Sequence, residues 1–249
     1  MRRTQVETPR DADGTVDYNQ GWRLWDDMAR YYPAAVHRRR VIVEWLAPLA
    51  PRSLVDVGCG PGLLITTLRD HIPTLETLVG VDYAGETCAE NARHMPWARF
   101  SQLDLGKAKL DERFDAVTCS EVLEHVTEHE AALRHLVEMT GRHLMITVPT
   151  GPLYPLEAGF GHLRHYQLEP LCREIEGLGL RVVRAEAWGF PWMTLFKAAS
   201  NVRPDAVMKQ FGGGRWSWPK KVFGAALTGL FHFNMHRWGP QLFILAERP

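Results

Sequence analysis

The sequence predicts an α/β fold: a doubly wound, mostly parallel seven-stranded sheet with helices on both faces. An N-terminal helical cap and an aromatic-rich insertion before the last strand extend it. Three observations carry this reading. Short β-rich runs alternate with helical stretches between residues 51 and 189, the pattern of strands joined by crossover helices. The first run, "VDVGCGPG" at 55–62, ends in glycines that open a helix, as the first turn of such a sheet does. After residue 189 the alternation stops, and it returns only with "PQLFILAE" near the end.

Taken in order, residues 1–17 are polar and are expected to form a disordered leader. Residues 18–50 place apolar side chains at helical spacing, broken by Pro33, and read as two cap helices. The core, 51–189, follows as "SLVDVG", a helix from about Pro61, "TLVGVD", a helix through Cys88, and "ARFSQLDL". It continues with "FDAVTCS", a helix around 128–140, "HLMITVP", a helix near 167–177 and the strand "LRVVRAEAW". Residues 190–238 form the insertion, expected to be a lid or substrate element, and 239–249 supply the final strand of the core. The chain has no internal repeat.

The 249 residues are enough for one elaborated domain. Lys+Arg and Asp+Glu both number 29, so net charge gives no general reason to bind nucleic acid or an acidic partner. Cys59, Cys88, Cys119 and Cys172 form no C-x-x-C pair, and the polar start lacks the apolar stretch of a signal peptide. A reducing cytoplasm is the expected location, with peripheral membrane contact as an option. No apolar run approaches the roughly 20 residues that span a bilayer.

The glycine loop narrows the ligand. Gly58, Gly60 and Gly62 are spaced G-x-G-x-G, and Leu63 stands where a dinucleotide fingerprint needs its third glycine. There is no G-K-[ST], which excludes a P-loop. Asp56, two residues before the first glycine, would repel a pyrophosphate and attract a cation. S-adenosylmethionine carries two cationic groups, a sulfonium and an ammonium. Asp82, ending "TLVGVD", can accept both ribose hydroxyls, and Asp104, ending "FSQLD", can meet the adenine amine.

On these residues the sequence resembles the class I, Rossmann-like, S-adenosylmethionine-dependent methyltransferases, over roughly Arg38 to Ala187. "VDVGCGPG" looks like the family's first motif, "GVD" like its ribose-binding acid, "QLDL" like its adenine-side acid, and "FDAVTCSEVLEHV" like the strand and loop beside the methyl donor. The resemblance implies that Asp56, Gly58, Cys59, Gly60 and Gly62 line the methionine end. It implies further that Asp82 and Tyr83 meet the ribose, Asp104 and Leu105 the adenine, and Ser120 and Glu121 the methionine part.

Methyl transfer from a sulfonium is an in-line displacement, and alignment supplies much of the acceleration. In "SEVLEHVTEHE", Glu121, Glu124 and His125 stand at i, i+3 and i+4, which gathers them on one face if the stretch is helical. Two readings stay open. In the favoured one His125 is a general base for a hydroxyl or amine acceptor, with His162 as a second catalytic candidate. In the other, Glu121, Glu124 and His125 bind a divalent metal completed by His162 or His165 of "GHLRHY". That pattern is similar to small-RNA 3′-end methyltransferases and to ubiquinone-pathway O-methyltransferases. The cluster also fits an acidic first helical turn with a histidine packed behind it.

Two attachments bear on the acceptor. Tyr18, Trp22, Trp25, Tyr31 and Tyr32 on the cap helices either close over the cofactor or pack on the sheet. In the insertion, six Lys/Arg stand against Asp205 between Asn201 and Trp238, with seven aromatics among them. Val222/Phe223, Ala226/Leu227 and Leu230/Phe231 repeat at helical spacing, and "FGGGRWSWP" reads as a hinge. The expected partner is a hydrophobic or amphiphilic small molecule, with peripheral membrane contact through 215–238 as an option. Nucleic acid is disfavoured by the neutral charge and the absence of an appended RNA-binding module. The expected activity is methyl transfer to a hydroxyl, ahead of nitrogen or carbon. The alternatives are a metal-assisted RNA 3′-end methyltransferase and a non-catalytic S-adenosylmethionine-binding protein.

Overall fold

The computed structural model of the chain describes residues 8–12, 14–211 and 213–249, the side chain of Phe211 excepted. Residues 1–7 and Asp13 of the expected disordered leader, and Gly212 of the expected hinge, lie outside the described residues. The described remainder of the leader is folded, contrary to expectation. Arg10 and Val16 pair across a turn, Asp17 N–H donates to Pro9 O (2.9 Å), and Val16 is buried. The short apolar contact at Val16 anchors a stretch that composition alone marks as polar.

Two helices follow. α1 (Tyr18–Tyr31) starts at Asp17, whose side chain accepts from Gln20 N, and α2 (Pro33–Leu46) starts with a proline at its first position. The sheet is built from β1 (Ser53–Val57), β2 (Thr77–Asp82), β3 (Arg99–Gln102), β4 (Phe114–Ser120), β5 (Thr140–Pro149), β6 (Arg181–Trp188) and β7 (Gln241–Glu247). Its order is β3-β2-β1-β4-β5-β7-β6, with β7 antiparallel to both neighbours. The helices between strands are α3 (Leu63–His71), α4 (Gly85–His94), α5 (His129–Met139), α6 (Pro155–Gly159) and α7 (Leu168–Gly177). Three more, α8 (Trp192–Ser200), α9 (Pro204–Phe211) and α10 (Trp218–Phe231), make up the insertion between β6 and β7.

Strand side chains alternate between the two faces. Val55 and Val57 of β1 join Leu133 and Leu136 of α5 and Ile175 of α7 in one core. Leu54 joins Ile42 and Trp45 of α2, Ile65 and Leu68 of α3 and Phe231 of α10 in the other. Each such fully buried aliphatic side chain stabilises the fold by about 1.5–3 kcal/mol. α2 therefore belongs to the layer covering the sheet, and of the two expected cap helices only α1 lies over the cleft described below.

His37 of α2 lies flat on Trp188, ring centroids 3.8 Å apart and planes within 9°, with no hydrogen-bond partner for either ring nitrogen. Burial, aided by the neighbouring positive groups Arg40, His236, His232 and Arg38, pushes its pKa down to about 3. The folded ring stays neutral where the unfolded chain takes up a proton, near pH 6.5. Stability present above that value is thus lost as the pH falls toward 3. His37→Phe, which keeps the stack, is expected to flatten the acid limb of Tm against pH; an unchanged limb would remove His37 from the explanation.

Candidate functional site

The strands β1, β2, β3, β4 and β5 point their carboxyl ends at one cleft, and antiparallel β7 brings its first residue there too. Ligands in open α/β sheets sit at this end, where the strand order reverses between β1 and β4. The cleft has a volume of about 1400 Å³ and is lined by Gly58, Asp82, Tyr83, Asp104, Leu105, Glu121, His125 and His162 among others. Its roof is Tyr18, Trp22 and Trp25 of α1, and its far wall is Met193, Phe196 and Phe223 of the insertion. Pockets for one small ligand run to roughly 300–1,000 Å³, so there is room for a cofactor and an acceptor together.

The loop after β1 needs its glycines. Gly58 has φ +74°, and a Cβ there would come within 2.2 Å of Val122. A Cβ on Gly60, at φ +47°, would come within 2.8 Å of the Trp22 ring, so α1 rests directly on the loop. Trp22 covers Gly60, Gly62 faces Met95, and neither glycine lines the cleft. Cys59 is buried with its thiol against Cys88.

Asp56 also departs from the expected arrangement. It shares the face of Leu54, is 2% exposed, and accepts from Thr118 Oγ1 at 2.7 Å. Burial raises its pKa to about 7 against the opposing effect of that hydrogen bond. It lies beneath the loop and outside the cleft lining. Ser120 exchanges a 2.8 Å hydrogen bond with Thr147 and likewise stays out of the lining.

Asp82 ends β2 and lines the cleft. Its Oδ2 accepts from Gly60 N–H and its Oδ1 from Ala84 N–H, both at 2.8 Å. Burial raises its pKa against the effect of these donors. Asp104 accepts from Gly106 N–H (3.1 Å) and pairs with exposed Lys107 (2.9 Å), contacts that an adenine amine would share.

The stretch after β4 is not α-helical, so the condition for gathering all three residues on one face is not met. Glu121 sits at φ +58°, a conformation costing a non-glycine residue about 1–2 kcal/mol, and only a 3-10 turn, Leu123–His125, follows. Glu121 therefore parts from the other two residues. It accepts from Gln241 Nε2 (2.7 Å) and Thr147 Oγ1 (3.3 Å) and pairs with Arg38 (3.4 Å). Glu124 turns inward and is 0% exposed, with neither oxygen hydrogen-bonded. Burial, reinforced by Glu121, holds its pKa well above the usual carboxylate range.

Leu163 N–H donates to Glu124 O at 2.8 Å, which brings the "GHLRHY" loop onto this turn. His125 and His162 then stand with ring centroids 4.7 Å apart. Ligating atoms of Glu124, His125 and His162 lie within 4.8 Å of one another, the set expected for a metal with Glu121 removed. His125 Nδ1 is 3.0 Å from Tyr18 Oη. Burial lowers the His125 pKa, and burial with the neighbouring histidines lowers that of His162 to about 2.

Two cleft residues escaped sequence reasoning. Arg38 of α2, its side chain 16% exposed, spends only Nη1 on its contacts with Glu121 and Gln241 and presents a guanidinium suited to a carboxylate. Gln241 begins β7, remote in sequence from every motif. The run "HRRR" before the first strand was the one local signal for Arg38; Gln241 had none.

The residues present fit S-adenosylmethionine: a glycine turn with no room for side chains, a buried acid after β2, apolar Leu103 and Leu105 beside Asp104, and Arg38 for the amino-acid carboxylate.

A family model described as a methyltransferase domain matches residues 24–185. A trans-aconitate 2-methyltransferase of Klebsiella pneumoniae is 30% identical over 122 residues, 49% of this chain and 46% of that protein. A ubiquinone biosynthesis O-methyltransferase of Pseudomonas paraeruginosa is 28% identical over 173 residues, 59% of this chain and 67% of that protein. The chain thus matches less than half the length of the first relative. Among solved structures, the N-methyltransferase NodS from Bradyrhizobium japonicum, in complex with S-adenosyl-L-homocysteine, shares the fold at TM-score 0.56 and 14% identity, covering 89% of this chain and 91% of that one.

Proposed function

The chain belongs to the methyltransferase-domain family, and we propose that it is an S-adenosylmethionine-dependent methyltransferase that methylates a hydroxyl of a hydrophobic or amphiphilic small molecule, with His125 as general base. The supporting observation is the continuity of the cleft. Tyr18 touches both Tyr83 on the cofactor side and His125, and beyond His162 the wall becomes the apolar side chains of the insertion. The names of both curated relatives quoted above are compatible with transfer to oxygen.

When bound, the cofactor supplies a methyl group on a positively charged sulfur. Arg38 and the loop at Gly58 would hold its amino-acid end, Asp82 and Tyr83 the ribose, and Asp104 and Leu105 the adenine. In the productive tautomer His125 Nδ1–H donates to Tyr18 Oη, leaving the Nε2 lone pair for the acceptor's proton. Burial keeps the ring neutral and ready to accept it. A proton on His125 places a positive charge beside the Glu124 carboxyl, which has no hydrogen-bond partner. The apolar insertion wall and the indoles of α1 exclude water from the acceptor side.

The orphaned Glu124 carboxylate favours one second reading, in which a divalent cation is held by Glu124, His125 and His162. A carboxylate with two imidazoles suits several transition metals. One assay separates the readings: release of S-adenosylhomocysteine with a panel of amphiphilic phenols and polycarboxylates, before and after dialysis against EDTA. The expected result is turnover of a hydroxylated apolar acceptor that survives EDTA. Loss on dialysis with recovery on adding one metal would replace the base reading with the metal reading. Cofactor binding with no turnover across the panel would favour a non-catalytic binding protein.

A further inference from the structure

The last helix of the insertion is apolar on both sides. Inward, Gly224 and Phe231 are buried, Gly224 where a Cβ would come within 3.1 Å of the Tyr31 carbonyl. Outward, Trp218 is 76% and Val222 46% exposed, and Ala225, Ala226 and Gly229 on the same side are exposed as well. The pairs Val222/Phe223 and Ala226/Leu227 therefore straddle two faces; they do not form the single packed face that their spacing predicts. Just past the helix, Phe233 (77%) and Trp238 (62%) are exposed as well. A water-facing helix side is ordinarily polar, and a contiguous apolar patch marks an interaction surface.

Charge decides between occupants. No Asp or Glu occurs from Ala206 to Ala246, while Lys209, Arg215, Lys220, Lys221 and Arg237 do. Lys221 reaches Asp27 (3.4 Å), but Arg215 and Arg237, flanking the helix, make no ion pair among the described residues. An apolar strip ended by tryptophans and bordered by arginines, in a run of chain without acids, matches an anionic lipid surface, where rings sit at headgroup level and cations meet phosphates. Among the described residues no helix is long and apolar enough to cross a membrane. A second copy would leave the one-sided charge unanswered, since this run of chain offers no acid to its own copy.

We propose that the outer side of α10 and the loop after it rest on an anionic bilayer. Phe223 and Leu227 of the same helix line the cleft, so the cleft lies against that surface. An acceptor with an apolar tail can then pass into the cleft without crossing water. The docking surface stands independently of the choice between His125 and a metal.

The test is flotation of the full chain with vesicles of phosphatidylcholine alone or with a third phosphatidylglycerol. Trp218→Ser/Val222→Ser/Phe233→Ser lies outside the cleft lining and should keep S-adenosylmethionine binding by calorimetry, which reports its folding. The chain is expected to float with the anionic vesicles only. The triple variant, and separately Arg215→Glu/Arg237→Glu, should weaken this by about tenfold or more. No flotation, or equal flotation of the folded variants, overturns the proposal. A concentration-dependent dimer lost in the triple variant, without vesicle binding, would assign the face to a second copy instead.

Discussion

Asp82→Ala is expected to weaken S-adenosylmethionine binding by roughly 100-fold or more, read by calorimetry at neutral pH. Two charge-assisted hydrogen bonds to ribose hydroxyls at about 1.5 kcal/mol or more each account for that much. A second effect adds to it. The carboxylate also receives Gly60 N–H and Ala84 N–H at 2.8 Å each, tying the glycine loop to the start of α4. Removing it frees two amides in a site only 6% exposed. Asp82→Asn is not a mild control, because its NH2 must face one of those two donors. Both variants should therefore lose affinity, the alanine variant more, with Tm falling in parallel. Binding within threefold of the unmodified chain would mean that the ribose is held elsewhere.

The parts of this site that were legible in the sequence are those fixed by local chemistry. A strand followed by G-x-G-x-G has few conformations available, and acids at the ends of β2 and β3 fall at the cleft because the sheet is parallel there. Asp56 was misread although the strand period was in hand: two residues after Leu54, it shares that residue's face and pairs with Thr118 beneath the loop. The E-x-x-E-H spacing suggested a helix, but β4 ends in a residue at positive φ and one 3-10 turn, stabilised by a loop about forty residues away. Trp22 over Gly60, Arg38 beside Glu121, and Gln241 bonded to Glu121 are tertiary contacts between distant segments. No local pattern encodes which of five aromatics on the N-terminal helices meets the loop. α10 shows the same limit from the other side: its period announced an amphipathic helix, and only tertiary packing, with Gly224 against the Tyr31 carbonyl of α1, revealed that both sides are apolar.

His125→Ala is expected to lower kcat by roughly 10²–10⁴-fold, the usual worth of a general base, while cofactor affinity changes by less than about threefold. The pH profile carries the sharper argument. Burial dominates the lowered pKa of His125, so its neutral form persists below the ordinary imidazole value near 6.5. A base acts when neutral, so kcat in the unmodified enzyme should hold level from pH 8 to below 6.5 and fall only as the pH drops through the lowered pKa. Tyr18→Phe removes the 3.0 Å contact with Nδ1 without emptying the site. It should cost kcat less than His125→Ala does, about tenfold as an order of magnitude, by letting the ring take the wrong tautomer. An acid limb above 6.5 would show Glu124 ionised and holding an imidazolium, against the burial that raises its own pKa. Full kcat in His125→Ala would leave alignment of acceptor and methyl as the whole of catalysis, and the buried carboxylate beside it would then need a cation other than the proton.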